Sequence, residues 1–296
     1  MKIAVSLAAA ALSVSMQGAF AQSTSTLDKV KASGTITVGY RESSVPFSYL
    51  GADGKPTGFG WEICGKVVDQ VKRVTGRSDL KVATQAVTPQ NRIPLLINGS
   101  IDIECGSTTN DSERGKYVDF ATNYFYTGTR FLVKKSSGIR TVDDLKGRKV
   151  VSTVGTTNYQ VLRKLDADKG LGFELLGAKD HAEAALMVEM GRADAFGMDD
   201  ILLYGLRAGA RQPEDLAVVG DAIQVEPYAI MVRKNDPAFK RLVDGTLASL
   251  IKTGEFDALY KKWFLSPIPP KGVNLNAPMS RELKANLVAQ SDKPAK

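Results

Sequence analysis

The sequence is poor in the residues that most often carry metals and acyl-transfer chemistry. Among 296 residues there are one histidine, two cysteines and two tryptophans. With His181 as the sole imidazole, a histidine-rich zinc site is excluded, and no Ser–His–Asp set or carboxylate pair stands out around it. Cys64 and Cys105 have no metal-ligand spacing, so no metal or cofactor site is expected. Beyond the first two dozen residues no apolar run approaches the ~20 residues a spanning helix needs. Long internal repeats are missing, as are low-complexity runs away from the chain's ends.

The N-terminus reads MKIAVSLAAAALSVSMQGAFAQ. Lys2 supplies the positive end, a short apolar run follows, and Ala19-Phe20-Ala21 has the small-x-small form of a cleavage site. Residues 1–21 are expected to be a secretory signal peptide cut after Ala21. As a membrane anchor the run is too short and lacks far-side charges. The mature chain of 275 residues would start at Gln22, enough for two ordinary domains or one large one. The formal charge of +7 falls to +6 when Lys2 is removed. Lysines and arginines are scattered among Asp and Glu, so a nucleic-acid surface is not expected; a positive field would help steer an anionic ligand. In an oxidising compartment the even cysteine count suggests a Cys64–Cys105 disulfide, with two buried thiols as the alternative. Closing that loop would stabilise the fold by roughly 4 kcal/mol in the chain-entropy view.

Strands and helices alternate along the chain. TITVGY (35–40) is β-branched and ends at a turn; FGWEICGKVVDQVKRVTG, from Phe59, carries apolar residues at helical spacing and stops at Gly76. The strand LKVATQA, the short helix NRIPLLING and the buried strand IDIEC come next. A second series comprises RKVVST, TNYQVLRKL, FELLG, HAEAALMVEMG, ADAFGM and DDILLYGLRAG. This alternation predicts an α/β fold of parallel βαβ units, with ligands beyond the carboxyl ends of the strands. YFYTGTRFLVKK (124–135) and VEPYAIMVRKND (225–236) are extended, tyrosine-bearing runs flanking the second series. They are expected to cross between two lobes, 27–125 plus 227–296 and 126–226, although one continuous sheet would also accommodate them. The tail should form two helices broken at Gly254.

ECGSTTNDSER (104–114) concentrates hydroxyls, three acidic residues and an arginine in eleven positions. No base accompanies its serines. Asn110 and Glu113 have the spacing of a capping box, so a helix opening here would favour an anion before it. Arg41, Arg92, Arg114, His181 and Asp199 fall at strand ends or helix starts. If they converge, the site holds three fixed positive charges, one negative charge and an imidazole. A ligand with a single carboxylate would leave arginines unpaired in a closed cleft, which is costly, whereas glutamate or aspartate would match them.

RESSVPFSY (41–49), QNRIPLL (90–96), ECGSTTN (104–110), SER (112–114), GTR (128–130), GTT (155–157), KDH (179–181), MDD (198–200) and WF-x-x-PIPP (263–270) occur in this order. Together they resemble the periplasmic glutamate/aspartate-binding proteins of ABC importers, within the polar amino-acid solute-binding family. The resemblance spans nearly the whole mature chain. It implies a two-lobed, type II periplasmic-binding-protein fold. Each lobe would be a doubly wound sheet flanked by helices, with two crossover hinge strands. It further implies a monomer that closes on its amino acid and delivers it to a membrane permease.

Matched residue by residue, the resemblance implies that Arg114 grips the ligand α-carboxylate. Ser107 and Thr109 would add donors at that end. Asp199 would accept the α-ammonium, a role Asp200 could share. Arg41, Arg92 and His181 would take the side-chain carboxylate, and Thr157 would help from the second lobe. A protonated His181 would make affinity fall as pH rises past the imidazole pKa. Thr88-Pro89 departs from the family, which often has a serine there. Either a hydrogen bond to the distal carboxylate is missing or Thr88 supplies it, leaving glutamate against aspartate open. The fold also hosts periplasmic dehydratases, so an enzyme of that type is the alternative function.

Overall fold

The computed structural model describes residues 25–295. The expected signal peptide and its cleavage site lie outside the described residues. Two sheets organise the chain. In the first, the strand order is Lys81–Ala86, Thr35–Tyr40, Ile103–Glu104, Met231–Arg233, Val118–Phe120. The first three run parallel and Met231–Arg233 runs antiparallel to both neighbours. In the second, the order is Glu174–Ala178, Lys149–Thr153, Ala195–Asp199, Phe125–Lys134, Leu216–Val219, and Val225–Tyr228 pairs with the start of the long strand. Sequence-distant strands thus complete both sheets, as two chain crossings require.

Local chemistry accounts for the elements. In helix Phe59–Thr75, Ile63, Val67 and Val71 fall on one stripe and are fully buried. Gly76 ends the helix at φ 67°, and the N–H groups of Gly76 and Arg77 satisfy terminal carbonyls. Asp180 caps helix His181–Glu189 by accepting from the Glu183 N–H, and Thr156 caps helix Thr157–Lys169 through Tyr159 N. These caps place His181 and Thr157 at helix starts. The tail forms helices Pro237–Thr253 and Glu255–Phe264 around Gly254, followed by helix Arg281–Ala289.

Where the chain crosses between sheets, an aromatic cluster packs against the paired strands Phe125–Gly128 and Val225–Tyr228. Phe47 is fully buried and meets Phe125 and Tyr228 edge-on at 4.9 and 5.1 Å between ring centres, with Phe264 at 5.6 Å. Cys64 and Cys105 form a disulfide with Cα atoms 5.8 Å apart. It ties helix Phe59–Thr75 to the end of strand Ile103–Glu104, which leads directly into the serine- and threonine-rich stretch.

Candidate ligand-binding cleft

All eight residues singled out from the sequence line one small space of about 10 Å³ between the two sheets. Arg41, Arg92, Ser107, Thr109 and Arg114 face it from the first sheet's side, and Thr157, His181 and Asp199 from the second's. Thr156, Asn158, Met198 and Leu202 complete the wall. A void of that size holds about one water, so the walls of the cleft nearly meet in this form. A larger open groove of about 910 Å³, beside Lys134, Met190 and Arg211, contains none of the residues the sequence singled out.

One end of the space is built from guanidinium groups. Arg41 follows its strand directly, and Arg92 begins helix Arg92–Ile97; their exposures are 1% and 2%. Burial lowers the Arg41 pKa to about 10, countered by Glu104. Arg92 is lowered to about 9, by burial first and then by the neighbouring Arg114. Arg41 Nη1 and Arg92 Nε are buried without a hydrogen-bond partner. Glu104 lies buried nearby; one of its oxygens accepts from the Thr108 hydroxyl at 2.7 Å and the other is unpartnered. It therefore offsets the arginines through space without occupying their N–H groups.

His181 overturns the expectation of a protonated imidazole. Its Nε2 faces Arg41 Nη2 at 3.2 Å, and its Nδ1 faces the Thr153 hydroxyl at 2.9 Å. A guanidinium only donates, so Nε2 must be the accepting nitrogen and Nδ1 carries the proton. Burial, then Arg41 and Arg92, hold the imidazole pKa well below its usual value. His181 is neutral here and orients Arg41.

The other end is a network. Arg114 donates from Nη1 to Thr109 O at 3.0 Å and from Nη2 to Gly155 O at 3.2 Å, and its Nε lies 3.3 Å from Asp111 Oδ2. The Gly155 contact joins the two sides of the cleft. The stretch before Arg114 does not open an α-helix; only a 3-10 turn, Arg114–Lys116, forms. Asn110 is drawn away from capping: its Nδ2 donates to Asn123 Oδ1 and Asp292 O, and Ala295 N donates to its carbonyl. Asp111 takes the Arg114 N–H instead, at 2.9 Å. The helix-terminus argument for anion binding therefore falls, and the guanidinium carries that task alone.

Asp199 ends strand Ala195–Asp199 and is 2% exposed. It accepts from Asn158 Nδ2 at 2.8 Å and from the Tyr228 hydroxyl. Burial and then Glu226 push its pKa up to about 8. Asp200 has a separate job, accepting from Thr127 Oγ1 and Ile201 N, each at 2.7 Å. Ser107 Oγ donates to Ser44 Oγ at 3.2 Å. The Thr88 hydroxyl accepts from Asn91 N at 3.3 Å, and neither Thr88 nor Pro89 lines the space. Thr88 thus does not replace the family's serine.

Sequence reasoning missed two buried carboxylates, Glu104 and Glu226. Glu226 Oε2 accepts from the hydroxyls of Thr109 at 2.6 Å and Thr157 at 2.7 Å. With Asp111 and Asp199 they give the cleft four carboxylates against three arginines, so the expected overall surplus of positive charge does not exist. The surplus is local, at Arg41 and Arg92. An acidic residue inside the apolar crossing runs was the available signal for Glu226.

The profile of the bacterial extracellular solute-binding proteins, family 3, matches residues 36–266. The chain belongs to this family. The L-glutamate/L-aspartate-binding protein of Pseudomonas aeruginosa is 51% identical over 273 residues, covering 92% of this chain and 90% of that protein. A glutamate/aspartate import solute-binding protein of Salmonella typhimurium is 46% identical, over 91% of this chain and 89% of that one. Among solved structures, an ancestral amino acid-binding protein described as a precursor of cyclohexadienyl dehydratase superposes with a TM-score of 0.70 at 31% identity, covering 81% and 99% of the two chains. This solute-binding protein thus shares its fold with an amino acid-binding protein.

Proposed function

We propose that this family 3 protein captures an acidic amino acid, glutamate or aspartate, between its two sheets and hands it to the permease of an ABC importer. One observation carries the reading: two buried arginines at one end of a small closed space present N–H groups that nothing in the protein accepts. Leaving such donors unmet costs about 1–3 kcal/mol each, so an anionic group there is strongly favoured. The names of the Pseudomonas and Salmonella relatives support the same ligand class.

In this reading Arg41 and Arg92 receive the side-chain carboxylate, with His181 holding Arg41 in place. Arg114 takes the α-carboxylate beside Ser107, and Asp199 takes the α-ammonium. The lobes comprise 27–125 plus 227–296 and 126–226. The chain crosses at Phe125–Gly128 and Val225–Tyr228. Closure brings Thr157, His181 and Asp199 to a ligand first held by the arginines. Because those contacts exist only when the cleft is shut, the ligand shifts the population toward the shut form. The chain would be exported to the periplasm after cleavage at Ala21 and would act as a monomer. Turnover is disfavoured because the lone imidazole spends its basic nitrogen on Arg41 and cannot accept a substrate proton.

Calorimetric titration tests the reading. L-glutamate or L-aspartate should bind at least roughly 100-fold more tightly than L-glutamine or L-arginine. Equal affinity for acid and amide would reject it.

A further inference from the structure

Glu226 is fully buried on strand Val225–Tyr228, behind the residues that line the cleft. One of its oxygens collects two hydroxyl protons, from Thr109 Oγ1 at 2.6 Å and Thr157 Oγ1 at 2.7 Å. The other accepts from Gln224 Nε2. Both hydroxyl distances lie in the range of charge-assisted O–H···O⁻ bonds. The two threonine oxygens are 3.3 Å apart and approach from opposite sides of the cleft. Pairing holds them in place: the Thr109 segment bridges Tyr228, Asn110 N donates to Pro227 O, and Ala229 N donates to Thr108 O.

A threonine hydroxyl has one proton and two lone pairs. With both protons directed at Glu226, Thr109 and Thr157 can offer the cleft only lone pairs. We infer that Glu226 is a positioning residue that turns these two hydroxyls into acceptors and thereby selects a ligand bearing an ammonium group. The inference rests on the amino-acid reading above and changes one part of it: Thr109 Oγ1 serves the ammonium, not the α-carboxylate. Asp199 then has two partners in that task, which suits a group with three protons to donate. The same carboxylate also draws the two sides of the cleft together, so its effect on the ammonium must be separated from a simple latch.

Glutarate, which is glutamate without its ammonium, makes that separation. Calorimetry of the wild type and Glu226→Gln with both ligands should show L-glutamate weakened by roughly tenfold or more, with glutarate unchanged or improved. An amide at this position must donate as well as accept, so at least one threonine proton returns to the cleft. Thr157→Val should reproduce the selective loss, and ligand-free melting curves of both variants would establish that they are folded. Equal losses for the two ligands, or wild-type glutamate affinity in either variant, would overturn the inference. Wild-type protein that binds no acidic amino acid would instead remove the functional reading on which it rests.

Discussion

The two ends of the cleft solve the same problem, holding charge away from water, in opposite ways. Around Arg41 and Arg92 the protein leaves donors unmet, and the carboxylate that offsets Arg41 most, Glu104, bonds to neither guanidinium. Around Arg114 and Asp199 most polar atoms already have partners, and several of those partners sit across the cleft: Arg114 on Gly155 and Thr109 beside Thr157. The first end also reaches across the cleft, through Arg41 Nη2 and His181 Nε2 at 3.2 Å, and its unmet donors are costly until a ligand accepts them. The second becomes complete through closure. The ends thus differ in what they leave unmet, while His181 links recognition of the distal group to closure.

The largest expected effect comes from breaking the waiting end. In Arg92→Met the side chain keeps its approximate length and loses its charge. Truncating one partner of a buried charged contact costs about 2–5 kcal/mol, so glutamate affinity should fall by roughly 30-fold to several thousand-fold. Ligand-free stability should move the other way. Burial depresses the Arg92 pKa to about 9, so the guanidinium stays charged at neutral pH at a cost to folding, and an apolar replacement removes that penalty. A melting temperature that rises while calorimetric affinity collapses would sharpen the contrast between the ends. A variant that binds as wild type would erase it.

Legibility in the sequence divides along the same line. Arg41, Arg92 and Arg114 stood out because each follows a strand or begins a short helix or turn, where ligands of α/β sheets gather. The elements were readable because Ile63, Val67 and Val71 repeat at helical spacing and Gly76 marks a stop. The carboxylates were not readable. Glu104 and Glu226 lie in short strands whose burial comes from distant pairing, Ile103–Glu104 with Thr35–Tyr40 and Val225–Tyr228 with Phe125–Gly128. Their only local mark is an acid set among apolar residues, VEPYAIMV for Glu226 and IDIEC for Glu104, which does not say what it bonds to. The capping box at Asn110 failed for a similar reason: the chain's last residues, almost two hundred positions away, claim that side chain. The state of His181 depended on which donor faces it, and that is a property of the assembled cleft.

The network end makes a prediction about protons, of intermediate size. In the ligand-free closed form Asp199 keeps a proton up to about pH 8, because it is buried and faces Glu226, with Asp200 adding to the effect and Tyr228 and Asn158 opposing it. Its pKa is raised above the unfolded value of 3.8, so this stabilising protonation is fully present below about pH 4 and is lost as pH rises through 8. An arriving ammonium competes with that proton for one carboxylate. Binding should therefore release protons below pH 8, and the affinity of the closed form should rise with pH by at most about tenfold per unit before levelling off. A protonated His181 would have given the opposite slope. Titrations in buffers of different ionisation enthalpy count the protons; Asp199→Asn should abolish the release, and release persisting in that variant would assign it elsewhere.

A smaller effect should come from interfering with closure without touching any charge. Gly155 adopts φ +79°, a conformation most side chains resist, and its carbonyl accepts from Arg114. A Cβ built there would meet Gln90 Cα and N at 2.7 Å, and that is backbone on the opposite side of the cleft, which cannot swing aside like a side chain. Gly155→Ala should therefore hold the two sides apart by the width of the intruding methyl, lengthening the Arg114–Gly155, Thr109–Thr157 and Arg41–His181 contacts while leaving both arginines in place on their own side. Crowding of this size costs about 1–3 kcal/mol, or roughly five- to 150-fold in affinity. The loss should appear mainly as faster dissociation, because the end that first receives the ligand is intact and only the closing contacts are weakened. Stopped-flow measurements on this variant distinguish the two ends directly. A slower association rate with unchanged dissociation would mean that closure precedes capture, and the division of labour between the ends would have to be reversed.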